Sequence, residues 1–327
     1  MTIFKPTRRQ LLEAACLTPM LALPASAATS LLAPSRPQPA ASHRFKVGQA
    51  QITVISDGNL NIPVSGLGVN ADRAEVQKFL TDHALSASNN YAHTNHILVE
   101  TGDIKLLVDV GSGDRFQDSA GRLVANMEAI GIDPADITHV FITHAHPDHV
   151  WGIRDDFDEP VFTEAEYIIG AGEYDWWMTN DRANMVEQSL QQFVVGAVNA
   201  LSTEGLEWTV AKNNHEIAPG LRLIDTPGHT LGHMSLVVES DGQSLIALGD
   251  CMSHAYMSVE QPEWVNAIDM DKEATVTTRL RLLDMAATDG MAVLGYHFPF
   301  PGVGHVVSDK MGGYRFMPAL WRWQDAG

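Results

Sequence analysis

The chain has 327 residues, enough for one large domain or two small ones. Its 45% hydrophobic and 19% charged residues are those of a globular protein and exclude a disordered one. With 40 acidic against 21 basic residues and a formal charge of −19, it repels phosphate backbones, which argues against nucleic acid as a partner. No unbroken run of about 18 apolar residues offers a membrane span.

Residues 1–27 read as a removable leader. Thr7-Arg8-Arg9-Gln10-Leu11-Leu12 resembles a twin-arginine export signal, a moderately apolar segment follows, and Ala25-Ser26-Ala27 is an A-x-A cleavage pattern. The expected location is therefore the periplasm or outside the cell. Export by this route moves a protein that is already folded. Residues 28–44, with Pro34, Pro37 and Pro39 among Ala and Ser, read as a flexible tether, and 45–327 as the folded domain. Loss of the leader removes Lys5, Arg8, Arg9 and Glu13, so the charge goes from −19 to −21. Cys16 leaves too, and Cys251 alone can form no intrachain disulfide.

Phe45 to Val47 and Ile52 to Ile55 are predicted strands, with Ser56-Asp57-Gly58 as a turn. His96 to Glu100 and Ile104 to Asp109 form a hairpin turned by Thr101-Gly102-Asp103. Leu123, Met127 and Ile130 recur at helical spacing, with Gly131 as the stop. Val140, Phe141 and Ile142 then make a short buried strand. It breaks into a polar loop carrying His144, His146, Asp148 and His149, with Pro147 stiffening the turn. Imidazoles and a carboxylate this close together pack badly in an apolar core and suit zinc or a similar divalent ion. Tyr167 to Ile169 is a strand. Glu173 to Met178 and Met185 to Leu201 are helices, the second apolar at Met185, Leu190, Phe193, Val194 and Val198. Leu221 to Ile224 leads into a loop with His229, and the hairpin of Ser235 to Val238 with Leu245 to Leu248 ends in Asp250. A helix over Lys272 to Ala287 precedes the strand Met291 to Leu294, which delivers His297.

HxHxDH after an apolar strand resembles the metallo-β-lactamase superfamily, and so do His229 in TPGHTLGH, Asp250 in ALGDC and His297 in GYHFPFPG. The resemblance implies an α/β fold, a single-domain four-layer αβ/βα sandwich with a metal site at its edge. It assigns His144, His146 and His229 to one ion, and Asp148, His149 and His297 to a second, with Asp250 bridging. The cofactor it implies is two divalent metal ions, zinc first and manganese or cobalt as alternatives. A bridging hydroxide is then the nucleophile, and Asp148 and Asp250 are the catalytic carboxylates. Asp109, in VDVGSG, matches the position that orients a ligating histidine; a plain turn aspartate is the alternative.

Within the superfamily, ISDG at 55–58, LLVDVGSG at 106–113, GRLVANM at 121–127 and ITHAHPDHVWG at 142–152 resemble methyl parathion hydrolase and its lactonase relatives. HFPFPGVGH at 297–305 and GYRFMP at 313–318 extend the likeness over roughly residues 45–320. The aromatic substrate pocket of those enzymes matches Phe116, Trp177 and Phe193, which as bare residues could equally be core. The resemblance thus implies an exported di-metal hydrolase of a small ester-like bond: a lactone, an aryl ester or an organophosphate triester. The partner is a small-molecule substrate, and a homodimer is consistent with the family. The rival readings are a β-lactamase and a non-catalytic periplasmic protein that binds metal or ligand. His233 reads as a structural hydrogen-bonding group, His305 as either a residue behind the ligands or a surface one, and His96, His254 and Cys251 carry no assignment.

Overall fold

A computed structural model describes residues 41–309 and 312–320. The leader at 1–27 and residues 28–40 of the tether lie outside the described residues. The first strand begins at Ser42, inside the stretch expected to be tether. Ser42 to Val47 pairs residue by residue with Ile55 to Ala50, and that ladder extends the order three residues earlier than composition suggests.

Two seven-stranded sheets form the centre. The first contains β1 (Ser42–Val47), β2 (Ala50–Pro63), β3 (Asn89–Thr101), β4 (Ile104–Val108), β5 (His139–Ile142), β6 (Glu166–Gly170) and β7 (Trp208–Ala211), side by side in that order. β1 to β4 are antiparallel and β4 to β7 parallel. The second contains β8 (Glu216–Ala218), β9 (Leu221–Asp225), β10 (Met234–Ser240), β11 (Gln243–Ala247), β12 (Ala292–Leu294), β13 (Val303–Ser308) and β14 (Tyr314–Pro318), again side by side in sequence. Only β11 and β12 run parallel there.

Side-chain alternation along each strand explains the layers. Leu106, Phe141 and Ile168 of the first sheet pack with Leu223, Leu236 and Leu245 of the second in one buried cluster. Their neighbours Leu107, Val140, Ile142 and Ile169 point the other way, onto Val194, Ala197 and Leu201. Those three belong to an α-helix over Gln188–Leu201. On the far side Val237, Ile246 and Val293 meet Leu282, Leu283 and Ala286 of the helix Lys272–Asp289. Helix, sheet, sheet, helix is the expected four-layer sandwich. In chain order the helices are α1 (Arg73–Asp82), α2 (Leu123–Ala129), α3 (Pro147–Val150), α4 (Ala171–Trp177), α5 (Arg182–Met185), α6 (Gln188–Leu201), α7 (Met257–Glu260) and α8 (Lys272–Asp289).

Local expectations fail in two places for identifiable reasons. Ser56-Asp57-Gly58 is not a turn: β2 runs through it to Pro63, and its register with β3 shifts between Ser56 and Gly58. Gly58 has φ +121°, and a Cβ there would fall 2.2 Å from the Ser119 carbonyl oxygen, so glycine permits the bulge. Asp57 turns inward and accepts the backbone N–H groups of Ser112, Gly121 and Leu123, tying β2 to the loop after β4. Met185 is exposed and not part of the long helix, because Val186 is extended (φ −111°, ψ 163°) and separates α5 from α6.

Candidate metal centre

Four loops at the C-terminal ends of strands converge on one point. β5 delivers His144 and His146 and leads into α3, which carries Asp148 and His149. The loop after β9 carries His229, a short 3-10 turn after β11 carries Asp250, and the loop after β12 carries His297. All seven are buried. His146 Nδ1 lies 3.0 Å from both His144 Nε2 and His229 Nε2. Asp148 Oδ2 is 3.4 Å from His149 Nε2 and 3.4 Å from His297 Nε2. Asp250 reaches both sets, with Oδ2 3.4 Å from His229 Nε2 and 3.0 Å from His297 Nε2.

The donor set fits divalent cations. Ligand atoms of His144, His146 and His229 fall within 4.8 Å of one another, as do those of Asp148, His149 and His297 and those of His144, His149 and Asp250. Asp148 Oδ2, Asp250 Oδ1 and His149 Nε2 are buried without a hydrogen-bond partner, as the ligand atoms of a cation site would be. The electrostatics agree. Burial, then the adjacent imidazoles, hold His144 and His146 well below the usual histidine range, so both keep lone pairs. At His149 burial works in the same direction, yet Asp148, Asp109 and Asp250 outweigh it and drive the pKa well above normal. Burial likewise opposes ionisation of Asp250, but His297 and His149 hold its carboxyl well below the ordinary range. Neutral imidazoles at His144 and His146, an ionised Asp250 carboxylate and a surrounding field that favours positive charge at His149 suit a divalent cation.

A second layer of buried groups aims the ligands. Asp109 (φ +60°) accepts from Thr143 N at 2.8 Å, and its Oδ2 lies 2.8 Å from His149 Nδ1, the orienting role the resemblance implied. Sequence reasoning missed three others. Asp269 Oδ1 accepts His229 Nδ1–H at 2.9 Å while its Oδ2 pairs with Arg279. The His93 carbonyl oxygen accepts His297 Nδ1–H at 2.7 Å. Glu173 takes Ala145 N and Trp177 Nε1 on one oxygen, and Thr230 Oγ1 and Gly232 N on the other. It thereby clamps the His144–His146 loop to the His229 loop. None of these three stands in a short motif, and only tertiary contact makes them visible. Tyr296 donates to the Asp148 carbonyl oxygen at 2.6 Å, with buried His96 at 3.0 Å on its hydroxyl.

Other sequence expectations divide. His233 is structural: Nδ1 is 2.7 Å from Thr226 Oγ1, and Nε2 accepts Asp250 N–H. His305 is exposed on β13, away from the cluster. Phe116 and Phe193 are half-buried and meet edge to face at 5.9 Å, with Phe193 5.8 Å from the His146 ring, so both lie beside the centre. Trp177 is 1% exposed, packs in the outer core of the first sheet with its ring 5.8 Å from that of His146 and gives its N–H to Glu173, so it backs His146 and presents almost no open surface. Being adjacent in sequence to half-exposed Trp176 gave no sign of this difference.

Comparison with known proteins bears on the same residues. The family model described as Metallo-beta-lactamase superfamily matches residues 91–287, well over half of the chain. An N-acyl homoserine lactonase of Bacillus cereus is 25% identical over 176 residues, which is 54% of this chain and 62% of that enzyme. The chain therefore spans under two thirds of that relative's length. The structure described as hydrolase AbOPH in the beta lactamase superfamily superposes with a TM-score of 0.79 at 25% identity, covering 87% of this chain and 99% of the other. AidC, a dizinc quorum-quenching lactonase, matches in fold with a TM-score of 0.76 at 22% identity over 87% and 99% of the two chains. With its family match, its four layers and its seven-residue centre, this chain belongs to the metallo-β-lactamase superfamily.

Proposed function

We propose that the protein is a di-metal hydrolase of a small ester-like bond, with a lactone as the leading substrate class and aryl esters and phosphotriesters as the related ones. The observation that carries this reading is Asp250, whose carboxylate reaches ligands of both groups within a buried cluster of seven. His144, His146 and His229 would hold one ion and Asp148, His149 and His297 the other. When bound there, divalent ions supply Lewis acidity toward a carbonyl or phosphoryl oxygen and acidify water. The chain's own groups do the rest. Asp109, Asp269 and the His93 carbonyl fix the ring orientation of His149, His229 and His297. Among the buried carboxylates, Asp109, Asp269 and Glu173 have both oxygens engaged by donors. Asp148 and Asp250 each keep an oxygen without a hydrogen bond, so these two are the carboxylates left to ligate the ions and to orient water held by them. Half-buried Phe116 and Phe193 offer apolar surface for a substituent beside His146. Lactonase relatives support the substrate class, and export rests on Arg8-Arg9 and the Ala25-Ser26-Ala27 site.

The test is a hydrolysis panel on metal-loaded protein: acyl lactones, aryl esters, phosphotriesters and a cephalosporin. Turnover of the first three with none of the last fits the proposal. Cephalosporin hydrolysis alone would make it a β-lactamase, and no turnover at all would favour a binding protein. Asp250→Asn should cost at least 100-fold in kcat/KM, and His305→Ala should change nothing.

A further inference from the structure

The two groups of ligands are not supported alike. His144, His146 and His229 are held by carboxylates from distant segments: Glu173 spans their two loops, and Asp269, backed by Arg279, fixes His229. In the other group, Asp148 and His149 stand on α3, a single turn of four residues, and His297 stands in the loop between β12 and β13. A lone helical turn is marginal on its own, so its position has to come from what packs on it.

Tyr296 supplies that support. It is buried and precedes His297 in the chain. Its hydroxyl donates to the Asp148 carbonyl oxygen at 2.6 Å, and its ring lies against that of His149, with centroids 4.0 Å apart and planes at 33°. Among the described residues, its ring and hydroxyl meet this group of ligands and His96, and none of His144, His146 or His229. The phenol is itself fixed: His96 Nε2 lies 3.0 Å from its oxygen and His96 Nδ1 3.1 Å from the Asp109 carbonyl oxygen, while the Asp109 carboxylate holds His149 Nδ1. Tyr296, His96, Asp109 and His149 thus close a circuit around one ligand. On the backbone side, Asn95 N–H donates to the Tyr296 carbonyl oxygen at 3.0 Å, and Asn95 Nδ2 donates to those of Gly295 and Phe298 at 3.2 and 2.7 Å. Residues on both sides of His297 are therefore pinned to β3. A tyrosine serving the core alone could place its hydroxyl on any nearby acceptor; this one places it on the main chain of a ligand.

We propose that Tyr296 is a positioning residue for one ion position only. It sets Asp148, His149 and His297 in register with one another, so the ion they hold is the one lost when the hydroxyl is removed. This rests on the two-ion centre of the reading above, and its readout does not depend on turnover.

The experiment is a chelator titration of the cobalt(II)-loaded chain, followed by elemental analysis and by the visible absorption of the bound cobalt. Tyr296→Phe keeps the ring on His149 and deletes only the hydroxyl. It should release one of its two cobalt ions at about tenfold lower chelator concentration than the wild type, and the other at the wild-type concentration. The spectrum of the ion that stays should match that of His297→Ala, which lacks a ligand of the second group, and not that of His146→Ala, which lacks one of the first. Asn95→Ser acts on the same ion through the loop and takes the place of Tyr296→Phe if that chain folds poorly. Equal weakening of both ions, weakening of neither, or a remaining spectrum that matches His146→Ala overturns the assignment and leaves the two-ion centre standing. A wild-type chain that holds only one cobalt ion overturns the two-ion centre and the assignment together.

Discussion

Asp269 and Trp177 illustrate what single side chains do behind the ligands. Asp269 holds the His229 ring by its Nδ1–H and is in turn held by Arg279, both fully buried. Loss of such an orienting carboxylate commonly costs 10- to 100-fold in metal affinity or activity. Asp269→Asn keeps the shape and removes the charge, so chelator competition should show metal affinity falling by about tenfold; unaltered affinity would remove Asp269 from the centre. Trp177→Phe deletes the donor to Glu173 while nearly filling the core. Denaturant unfolding should show a loss of about 1–2 kcal/mol, and kcat/KM should shift by the same factor for aryl and alkyl substrates. A selective loss on aryl substrates would return Trp177 to the pocket wall.

At the level of elements, the turn 253–257 shows how a side chain supports a helix. His254 accepts two backbone N–H groups at the start of α7, and burial, with some help from His83, pushes its pKa down to about 4. Because the folded value lies below the ordinary histidine value of 6.5, the unfolded chain binds the proton first. Its contribution to stability is therefore complete above pH 6.5 and is lost as the pH falls toward 4, about 3 kcal/mol in all. His254→Asn cannot titrate, so subtracting its stability curve from that of the wild type should reveal this limb between pH 6.5 and 4. A flat difference would show that the ring is not held neutral.

For the whole molecule, the metal cluster joins loops from both sheets, so ion loss should be felt globally. Elemental analysis should find close to two divalent ions per chain. An ion bound at 100 times its Kd contributes about 2.7 kcal/mol, and a domain of this size shifts by roughly 2–4 °C per kcal/mol. Chelation should then lower Tm by at least about 5 °C. A Tm indifferent to chelator would mean that the seven residues do not hold metal in solution. Among the described residues no helix is long and apolar enough to cross a membrane. If the leader acts as proposed, exported protein should begin near Ala28, and Arg8→Lys with Arg9→Lys should keep it in the cytoplasm, as N-terminal sequencing and fractionation would report.

By itself the sequence determined the cluster of candidate ligands and, through the family its motifs resemble, the sandwich, because those motifs are local. Short apolar runs mark β5, β9, β11 and β12, and each ligand follows the end of such a strand, where a short motif can record it. The partners of those ligands are another matter. Asp269, Glu173 and the His93 carbonyl lie 28 or more positions from the ligand-loop groups they hold, and nothing local distinguishes them from ordinary polar residues. The same holds for Trp177 against Trp176, two neighbours on one helix that differ only in which face they present to the core. Likewise Asp57 looked like a turn residue until the loop after β4 folded over it. Only tertiary structure decided these points, since burial and hydrogen-bond pairing between distant segments arise when the two sheets close, and no window of sequence contains both partners.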